Sequence, residues 1–466
     1  MKEKSKKKKV PHTLVIISMI ILFATLLTWI IPAGEYNRIE NAQGIEVIDP
    51  ATFHYIEKAP VNPLKITNIA IDGFEKSAVL IFVILFAGAA FNVITESGAL
   101  QSLIGMVSRK TKNKEIIFIP ILTLIFALIC TTQGVNTFIG FAPIMVMMAI
   151  ALGYDSIVGA GIILLGGAVG FSTGTLNVNT TIVAQEIAGL PPYSGIGYRA
   201  FCFVVFYIVT NIYLIKYATK IKKDPTLSPV YEIDQMRSFE NEDSNQFDAP
   251  LDLRKGSIIF ALFAVLGIIV YGGVKLDWGL KETGAMFMWL CVISGALAGF
   301  NPSKIAKFSV EGAKSMIGAA LIIGLARTVS NILDAGKIMD TSVFFLTKSM
   351  NFVPYILRGP VMFLVNLAVN MFITSGSGQA AAIMPIFSPL ADGIGLTRQV
   401  AVLAFNFGDG FCNYILPTST ALMGILGASD IPYDKWMSFM WKLFIIWIIT
   451  GSALMVGAQL INLGPM

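Results

Sequence analysis

Charged side chains are scarce in this chain, and their scarcity excludes a water-soluble protein. Only 14% of the 466 residues are Asp, Glu, Lys or Arg, whereas 55% are hydrophobic and the mean hydropathy is +0.72. Soluble domains carry about 25% charged residues, because charge is what keeps a protein surface in water. The long apolar runs are instead typical of helices that cross a bilayer. We therefore predict an all-α polytopic membrane protein, with the lipid bilayer as its first partner.

Histidine and cysteine are also rare, which argues against metal and disulfide chemistry. The chain has two histidines and four cysteines. All four cysteines fall in apolar segments and none forms a C-x-x-C pair, so we interpret them as reduced core residues. His12 and His54 lie outside the predicted spans. No cofactor and no structural metal is therefore expected.

The sequence lacks the phosphate loop of an ATP-driven pump. Lys314 and Ser315 follow a glycine, but the Gly-Lys adjacency of G-x-x-x-x-G-K-[ST] is missing. We expect no enzyme, and driving energy that comes from ion or solute gradients. The basic runs Met1 to Lys9 and Lys216 to Lys223 border predicted spans, so they indicate cytoplasmic flanks rather than nucleic-acid binding.

A polar stretch interrupts the apolar C-terminal third of the chain. Phe405 to Thr420 has the sequence FNFGDGFCNYILPTST, which combines glycines, a proline, short hydroxyls and an aspartate. Irregular backbone survives at membrane depth only where it is buried in protein or lines a wet cavity, because unpaired backbone groups are costly in hydrocarbon. The stretch predicts a broken helix at a binding site. The alternative is a proline kink in which Asp409 has a structural partner.

A second copy of this break favours the binding-site interpretation. Gly166 to Thr181 has the sequence GGAVGFSTGTLNVNTT, again inside apolar flanks. Gly410 lies 240 positions after Gly170, and Asp334 lies 238 positions after Glu96. Interrupted segments at matching places in two halves are the best sequence indication of a transporter's substrate site.

The placement of basic residues predicts that the two repeats cross the bilayer in opposite senses. Nine spans and two re-entrant hairpins put the N-terminus in the cytoplasm and the C-terminus outside. The predicted domains are an N-terminal span with an external segment (1–72), repeat 1 (73–223), a cytoplasmic linker (224–256), connecting spans (257–309) and repeat 2 (310–466). The two hairpins are 115–152 and 352–391, and the two broken helices are 157–188 and 399–428.

The hairpin tips and helix breaks are expected to meet near the bilayer midplane and to form the substrate site. Glycines there let backbone amides approach a ligand, and half-helix N-termini suit a carboxylate. The predicted substrate-binding residues are Thr132, Gln133, Gly134, Asn136, Thr137, Asn177, Asn179, Thr180, Ser375, Gly376, Ser377, Gly378, Gln379, Asp409, Asn413, Thr418, Ser419 and Thr420.

Asp409 is the most informative of these residues, because an acid inside a span is a functional hypothesis by default. Its expected partner is Na⁺, a proton, or the ammonium or guanidinium group of a substrate. No Lys or Arg lies in either tip or break, which favours a substrate that brings positive charge or a cation that binds beside an anion. The expected coupling ion is Na⁺ or H⁺, with a Na⁺ site near Asn136, Asn177, Ser377 and Asp409.

Four other charged residues fall in or beside predicted spans. Glu96 and Asp334 end the first spans of the two repeats, and we interpret them as interfacial helix ends, with gating as the alternative. Glu186 lies late in the first broken span, and its role stays open. Arg327 lies in the span Ala313 to Leu333, where it pairs with an acid, faces water or acts on a substrate carboxylate.

Long stretches of the chain resemble a known family. The stretches are VPHTLVIISMIILFATLLTWIIPAGEY, IALGYDSIVGAGIILLGGAVGF, QEIAGLPPYSGIGYR, SGSGQAAAIMPIFSPLADGIGLTRQ and VLAFNFGDGFCNYILPTST. They resemble the YfcC-like branch of the C4-dicarboxylate anaerobic carrier (DcuC) family, over nearly the whole chain. The resemblance implies a secondary carrier of the ion-transporter superfamily, with inverted repeats, a scaffold part and a mobile transport part. It also implies an elevator motion and a homodimer.

The resemblance leaves two substrate classes open. Members of this branch are associated with basic amino acids, including arginine/ornithine exchange, and with dicarboxylates. Together with Asp409, this predicts a transporter of the bacterial inner membrane that carries a cationic amino acid by exchange or ion-coupled uptake. The alternatives are a C4-dicarboxylate carrier coupled to sodium or protons and, more distantly, a channel.

Overall fold

The structure is a computed structural model that describes residues 13–40, 46–110, 115–240, 252–276, 278–348 and 353–464. The N-terminal basic run, the basic loop at 111–114 and residues 241–251 of the predicted linker lie outside the described residues. Most of the described chain is helical. The helices of the first half are α1 (Thr13–Ile30), α2 (Ile66–Lys76), α3 (Ala78–Glu96), α4 (Ala99–Lys110), α5 (Phe118–Ile129), α6 (Ala142–Ala151), α7 (Ser156–Ser172), α8 (Val183–Ile187) and α9 (Ile196–Lys223).

The second half has a similar succession of helices. They are α10 (Tyr231–Glu240), α11 (Leu253–Lys275), α12 (Leu280–Leu297), α13 (Pro302–Ser315), α14 (Ile317–Ala335), α15 (Met339–Lys348), α16 (Arg358–Asn370), α17 (Gly376–Gly393), α18 (Arg398–Cys412), α19 (Thr420–Ala428) and α20 (Tyr433–Leu460). Helices α3 and α14 both have 19 residues, and helices α9 and α20 both have 28.

Several of these helices are long and apolar enough to cross a membrane. Within the described part of the chain they are the four helices α3, α9, α12 and α20. Helices α13 and α14 meet at a bend of 43° and make a fifth span if they are taken together. Other apolar helices, such as α5 and α7, are shorter than a bilayer is thick. These helices identify a multi-pass membrane protein.

The described segment between α1 and α2 contains strands that the all-α prediction did not include. Gly34–Glu35 (β1) pairs antiparallel with His54–Tyr55 (β4), and Arg38–Glu40 (β2) pairs antiparallel with Glu46–Ile48 (β3). Arg38 Nη1 and Nη2 donate to the two carboxylate oxygens of Asp340 on α15, at 2.9 and 3.1 Å. This bidentate contact joins the strand segment to the second half of the chain.

Glycines bring helices of the two halves into close contact. A Cβ on Gly73 of α2 would lie 2.8 Å from the carbonyl oxygen of Gly324 on α14. A Cβ on Gly88 of α3 would lie 2.7 Å from the carbonyl oxygen of Gly312 on α13. Without side chains at these positions the backbones can pack at short distance. Helix α2 therefore packs on α14, and α13 packs on α3.

Helices α7 and α18 occupy the centre of the protein. Every residue of α7 except Phe171 is buried, and so is every residue of α18 except Arg398. Helix α7 packs against the hairpin helices α5 and α6, and α18 packs against the hairpin helices α16 and α17. Because both helices end inside protein rather than in lipid, the chain can become irregular where they end.

Candidate functional site

Polar bends from both halves surround one cavity of about 300 Å³. That volume is at the lower end of the range for small-molecule pockets, which suits a small solute. The lining residues are Gly134, Val135, Asn136, Phe171, Arg327, Thr374, Ser375, Gly376, Asn413, Tyr414, Thr418, Ser419, Thr420 and Ala421. They come from the tips of both hairpins, from the ends of α7 and α18, from the start of α19, and from α14.

The first hairpin tip contributes through its second part only. Helix α5 ends at Ile129, and the hydroxyl of Thr132 donates back to the Ile129 carbonyl at 3.0 Å. The chain then turns at Gly134 and continues as a 3₁₀-helix over Val135–Phe141. Gly134 and Asn136 line the cavity, and the buried Oδ1 of Asn136 has no hydrogen-bond partner. Of the predicted residues here, Thr132, Gln133 and Thr137 do not line the cavity.

The second hairpin tip presents the start of a helix to the cavity. Helix α17 begins at Gly376, and its N-cap Ser375 accepts a hydrogen bond from the Gly378 backbone N–H. Ser375 and Gly376 line the cavity. Ser377 and Gly378 are exposed but do not line it, so the structure separates these two pairs of predicted residues.

The second helix break forms the largest part of the lining. Helix α18 ends at Cys412 and α19 begins at Thr420, with Ser419 as the N-cap that accepts from the Leu422 N–H. The predicted residues Asn413, Thr418, Ser419 and Thr420 all line the cavity, and the buried hydroxyl of Thr418 has no hydrogen-bond partner.

Side chains of α20 satisfy backbone carbonyls that the second break frees. Trp436 Nε1 donates to the Tyr414 carbonyl at 3.0 Å, and the Tyr433 hydroxyl donates to the Ile415 carbonyl. A freed carbonyl would otherwise be costly inside a membrane. The two donors therefore stabilise the irregular backbone that forms the cavity wall.

The first helix break is packed into protein and contributes only Phe171 to the cavity. Asn177 Oδ1 accepts from the Thr180 N–H at 3.1 Å and caps a π-helical turn over Val178–Ile182. Thr181 Oγ1 donates to Asn406 Oδ1 on α18 at 3.0 Å. The predicted residues Asn177 and Thr180 are buried and do not line the cavity, although Thr180 packs behind the lining residue Gly376. The side chain of Asn179 lies outside the described residues.

The end of α7 and the residues after it also contain the sequence motif G-x-S-x-G, from Gly170 to Gly174. In a hydrolase that motif needs a histidine base close to the serine. The chain has only two histidines: His12 lies outside the described residues, and His54 is exposed on a strand between α1 and α2. Ser172 is fully buried, next to Gly410 of α18. The motif therefore marks a tight helix contact rather than a nucleophile.

Asp409 lies directly behind the cavity wall. Its side chain is 1% exposed, and its Oδ1 accepts a hydrogen bond from Asn370 Nδ2 at 3.0 Å. The same amide donates to Gln379 Oε1, and Gln379 Nε2 donates to the Asn366 carbonyl at 3.1 Å. A Cβ placed on Gly376 would lie 2.9 Å from Asp409 Oδ2. The predicted residues Asp409 and Gln379 thus belong to a buried polar network that borders Gly376.

The electrostatics of the cavity favour an anionic group. Helices α17 and α19 both begin at the wall, so their N–H groups and positive dipole ends face the same space. Arg327, from the middle of α14, is the one ionisable Arg, Lys, Asp or Glu among the lining residues. The sequence left its role open, because position within a span does not say which way a side chain faces.

The four residues predicted for a Na⁺ site have different surroundings. Asn136 lines the cavity, Asp409 is behind the wall, Asn177 caps the π-helical turn, and Ser377 is exposed. Over the residues the structure describes, no group of three or more His, Cys, Asp or Glu side chains is arranged to hold a metal ion. Of the open charged residues, Glu96 and Asp334 are exposed at helix ends and Glu186 is half-buried on α8.

Two transporters are among the solved structures that match this chain. The YdaH transporter of Alcanivorax borkumensis is 14% identical, with a TM-score of 0.41, and the match covers 98% of this chain and 100% of that chain. MtrF of Neisseria gonorrhoeae, which belongs to a class of antimetabolite efflux pumps, is also 14% identical. Its TM-score is 0.40, and the match covers 98% of this chain and 96% of that chain.

Sequence relatives and a family profile give the closer comparison. An Escherichia coli K12 protein named "Putative basic amino acid antiporter YfcC" is 30% identical over 493 aligned residues, with 97% of each chain covered. An uncharacterised protein of Haemophilus influenzae is 28% identical, with 97% of this chain and 98% of that protein covered. The profile of the C4-dicarboxylate anaerobic carrier family, DcuC, matches residues 10–460. The chain therefore belongs to the DcuC family of transporters and is not an enzyme.

Proposed function

We propose that this chain is a secondary active transporter of amino acids, most of all cationic ones, that works by exchange or ion-coupled uptake. The observation that carries the proposal is a cavity where the bends of both halves meet, walled by two helix N-termini and backed by Asp409. An amino acid has a carboxylate for the helix N-termini and a positive group for the field of the aspartate. The name of the E. coli relative, "Putative basic amino acid antiporter YfcC", supports the same substrate class.

The positive end of such a substrate also finds suitable neighbours in the wall. Phe171 and Tyr414 both line the cavity, and aromatic faces attract ammonium and guanidinium groups. Asp409 Oδ2 borders Gly376, which has no side chain between the carboxylate and the cavity. A cation near Gly376 would lie within the short distance at which a buried carboxylate acts strongly.

Inverted repeats and an elevator motion belong to the same proposal. Helix lengths support the repeat: α3 and α14 match, α9 and α20 match, and a hairpin is followed by a broken helix in each half. The hairpins pack on the broken helices, while α1, α2 and α12 pack on α14 and α3. This division supports a transport part (α5–α8 and α16–α19) that moves against a scaffold. The domain boundaries predicted above, with repeats at 73–223 and 310–466, stay part of this proposal.

The expected setting is the inner membrane of a bacterium, with the N-terminus in the cytoplasm and the C-terminus outside. The basic residues that flank the predicted spans support this orientation. The family resemblance supports a homodimer. Na⁺ or H⁺ is the proposed coupling ion, and the acid Asp409 is its proposed acceptor.

A C4-dicarboxylate is the second candidate substrate, because one observation favours it. The only ionisable Arg, Lys, Asp or Glu side chain on the cavity wall is the cation Arg327, and two helix N-termini add to the positive potential. Such a wall can hold a carboxylate at each end of a small diacid.

Counterflow in proteoliposomes tests both candidates. Vesicles loaded with unlabelled L-ornithine or succinate are diluted into labelled L-arginine or succinate, with and without Na⁺ and with an imposed pH gradient. We expect labelled L-arginine to accumulate in ornithine-loaded vesicles and the rate to saturate. Accumulation of succinate alone would select the second candidate. Flux that neither saturates nor responds to internal substrate would indicate a channel and contradict the proposal.

A further inference from the structure

Arg327 reaches the cavity from a different part of the fold than its other lining residues. The rest of the wall belongs to the hairpins α5–α6 and α16–α17, to the broken helices, and to the turns that join them. Arg327 lies near the middle of α14, which packs against α1 and α2 on other sides and against α19 beside the cavity. It therefore faces the polar bends across the seam between α14 and the hairpin and broken-helix units.

The guanidinium of Arg327 can still donate hydrogen bonds to a ligand. Its buried Nε has no hydrogen-bond partner, and among the residues that the structure describes no Asp or Glu forms an ion pair with it. Asp334, two turns further along α14, is exposed at the end of the helix, and Asp409 is already bonded to Asn370 behind the wall. A partly buried guanidinium normally has a carboxylate or phosphate partner, because its planar fork matches two oxygens at once.

The cation is present in one half of the chain only. Asp334 follows Glu96 by 238 positions, and at the same offset Arg327 corresponds to Ala89 of α3. Ala89 is buried and does not line the cavity. A residue needed merely to end or pack the first helix of a repeat would be expected in both copies. The positive charge of Arg327 is therefore a difference between the two halves of the chain, and it is present on only one side of the cavity.

We propose that Arg327 is the specificity-determining residue that pairs with a carboxylate of the transported solute. This inference rests on the proposed function and applies to either of its substrate classes. The helix N-termini of α17 and α19 hold the carboxylate from one side, and Arg327 completes its coordination from α14. Solutes without a carboxylate leave the guanidinium without a partner and are rejected.

The test compares solutes that have a carboxylate with analogues that lack it. Initial uptake rates are measured in proteoliposomes for L-arginine against agmatine, which lacks the carboxylate, and for succinate against its diamide succinamide, which has no carboxylate. We expect the wild-type protein to prefer the carboxylate member of the transported pair by about 10- to 100-fold, the range for charge-assisted hydrogen bonds. Arg327→Gln should reduce this preference to within about threefold, and Arg327→Lys should restore part of it, since Lys keeps the charge but not the fork.

Lys76→Gln is the matched control. Lys76 is a cation beside the same helix, where its Nζ donates to Asn331 Oδ1 at 3.2 Å, but it does not line the cavity. Removing its charge should leave the solute preference as in the wild type. The thermal midpoint of each variant in detergent shows that it is folded, and a ratio between two solutes is insensitive to the amount of active protein.

The outcomes separate the inference from the proposed function. If the wild-type protein transports a carboxylate solute and Arg327→Gln keeps the full preference, the inference is wrong while the function stands. If Lys76→Gln loses the preference as well, the effect is general electrostatics and Arg327 is not the specificity residue. If the wild-type protein transports none of the four solutes, the proposed function fails and the inference fails with it.

Discussion

The two broken helices are built alike but face different surroundings. In the first, the chain leaves α7 at Ser172, turns through Gly174 at a φ of +63°, and is capped again by Asn177. In the second, it leaves α18 at Cys412 and resumes at the N-cap Ser419. The first break packs its polar groups into protein, whereas the second lines the cavity with most of its residues.

The comparison shows that one backbone device serves two purposes. A break frees N–H and C=O groups, and these must find partners within the protein or in a wet cavity. In the first half one such partner is the Asn177 side chain, which accepts from the Thr180 N–H. In the second half Trp436 and Tyr433 of α20 donate to the carbonyls of Tyr414 and Ile415, and the start of α19 lies on the cavity wall. The halves also differ at the position of Asp409, which corresponds to Val169 at the offset of 240.

The largest expected effect comes from removing the negative charge of Asp409, which has no counterpart in the first half. Asp409→Asn keeps the size of the side chain but removes the carboxylate that Asn370 contacts at 3.0 Å. We expect transport to fall by about 30- to 150-fold, equivalent to the roughly 2–3 kcal/mol of a hydrogen bond to a charged group. The measurement is the initial rate of counterflow. Val169→Ala at the matching position should keep a rate near that of the wild type, and an unchanged rate in Asp409→Asn would refute the role of the acid.

A smaller effect is expected where glycines hold each broken helix against its neighbours. A Cβ on Gly170 would clash with the Ala127 carbonyl of α5, and a Cβ on Gly410 would clash with Ser172. We expect Gly170→Ala and Gly410→Ala each to lower the free energy of unfolding by about 1–3 kcal/mol, because a packed core does not accept extra volume. Thermal unfolding in detergent measures this effect.

Gly318→Ala on α14 is the control for the glycine variants. A Cβ there meets nothing within 4 Å, so the thermal midpoint should stay the same or rise, since alanine favours a helix over glycine. If all three variants unfold alike, close approach is not the reason for glycine at the breaks.

The smallest effect sharpens the difference between a structural cap and one that faces the ligand. Ser419 caps α19 on the cavity wall, and Asn177 caps the π-helical turn away from it. Replacing either with alanine should cost about 0.5–2 kcal/mol of stability, the usual range for an N-cap. Only Ser419→Ala should also raise the apparent KM for the transported solute. Equal KM changes in both variants would show that the two breaks contribute alike.

Much of the backbone could be predicted from the sequence, because Gly, Pro and hydroxyl residues inside a long apolar run indicate a break in a helix. For the broken helix predicted at 399–428, the structure has α18 and α19 over Arg398 to Ala428. For the broken helix predicted at 157–188, it has α7 to α8 over Ser156 to Ile187. The family resemblance pointed to the family that the profile match confirms.

The direction in which side chains face could not be predicted. Thr132 was expected at the ligand, but its hydroxyl bonds its own helix, a local choice that threonine makes whenever a carbonyl is within reach. Arg327 faces the cavity because of how α14 packs on α19, and no local pattern carries that information. The strand segment was not predicted because its strands have only two or three residues each, too few to show an alternating pattern.

The hydrogen bond from Trp436 to the Tyr414 carbonyl gives the protein a built-in optical probe. The indole is fully buried, and its N–H bonds the backbone of a residue that lines the cavity. Indole emission depends on the polarity and hydrogen bonding of that N–H. Any solute that shifts the backbone at Tyr414 would therefore change the emission of Trp436, and its occupancy could be followed without a label.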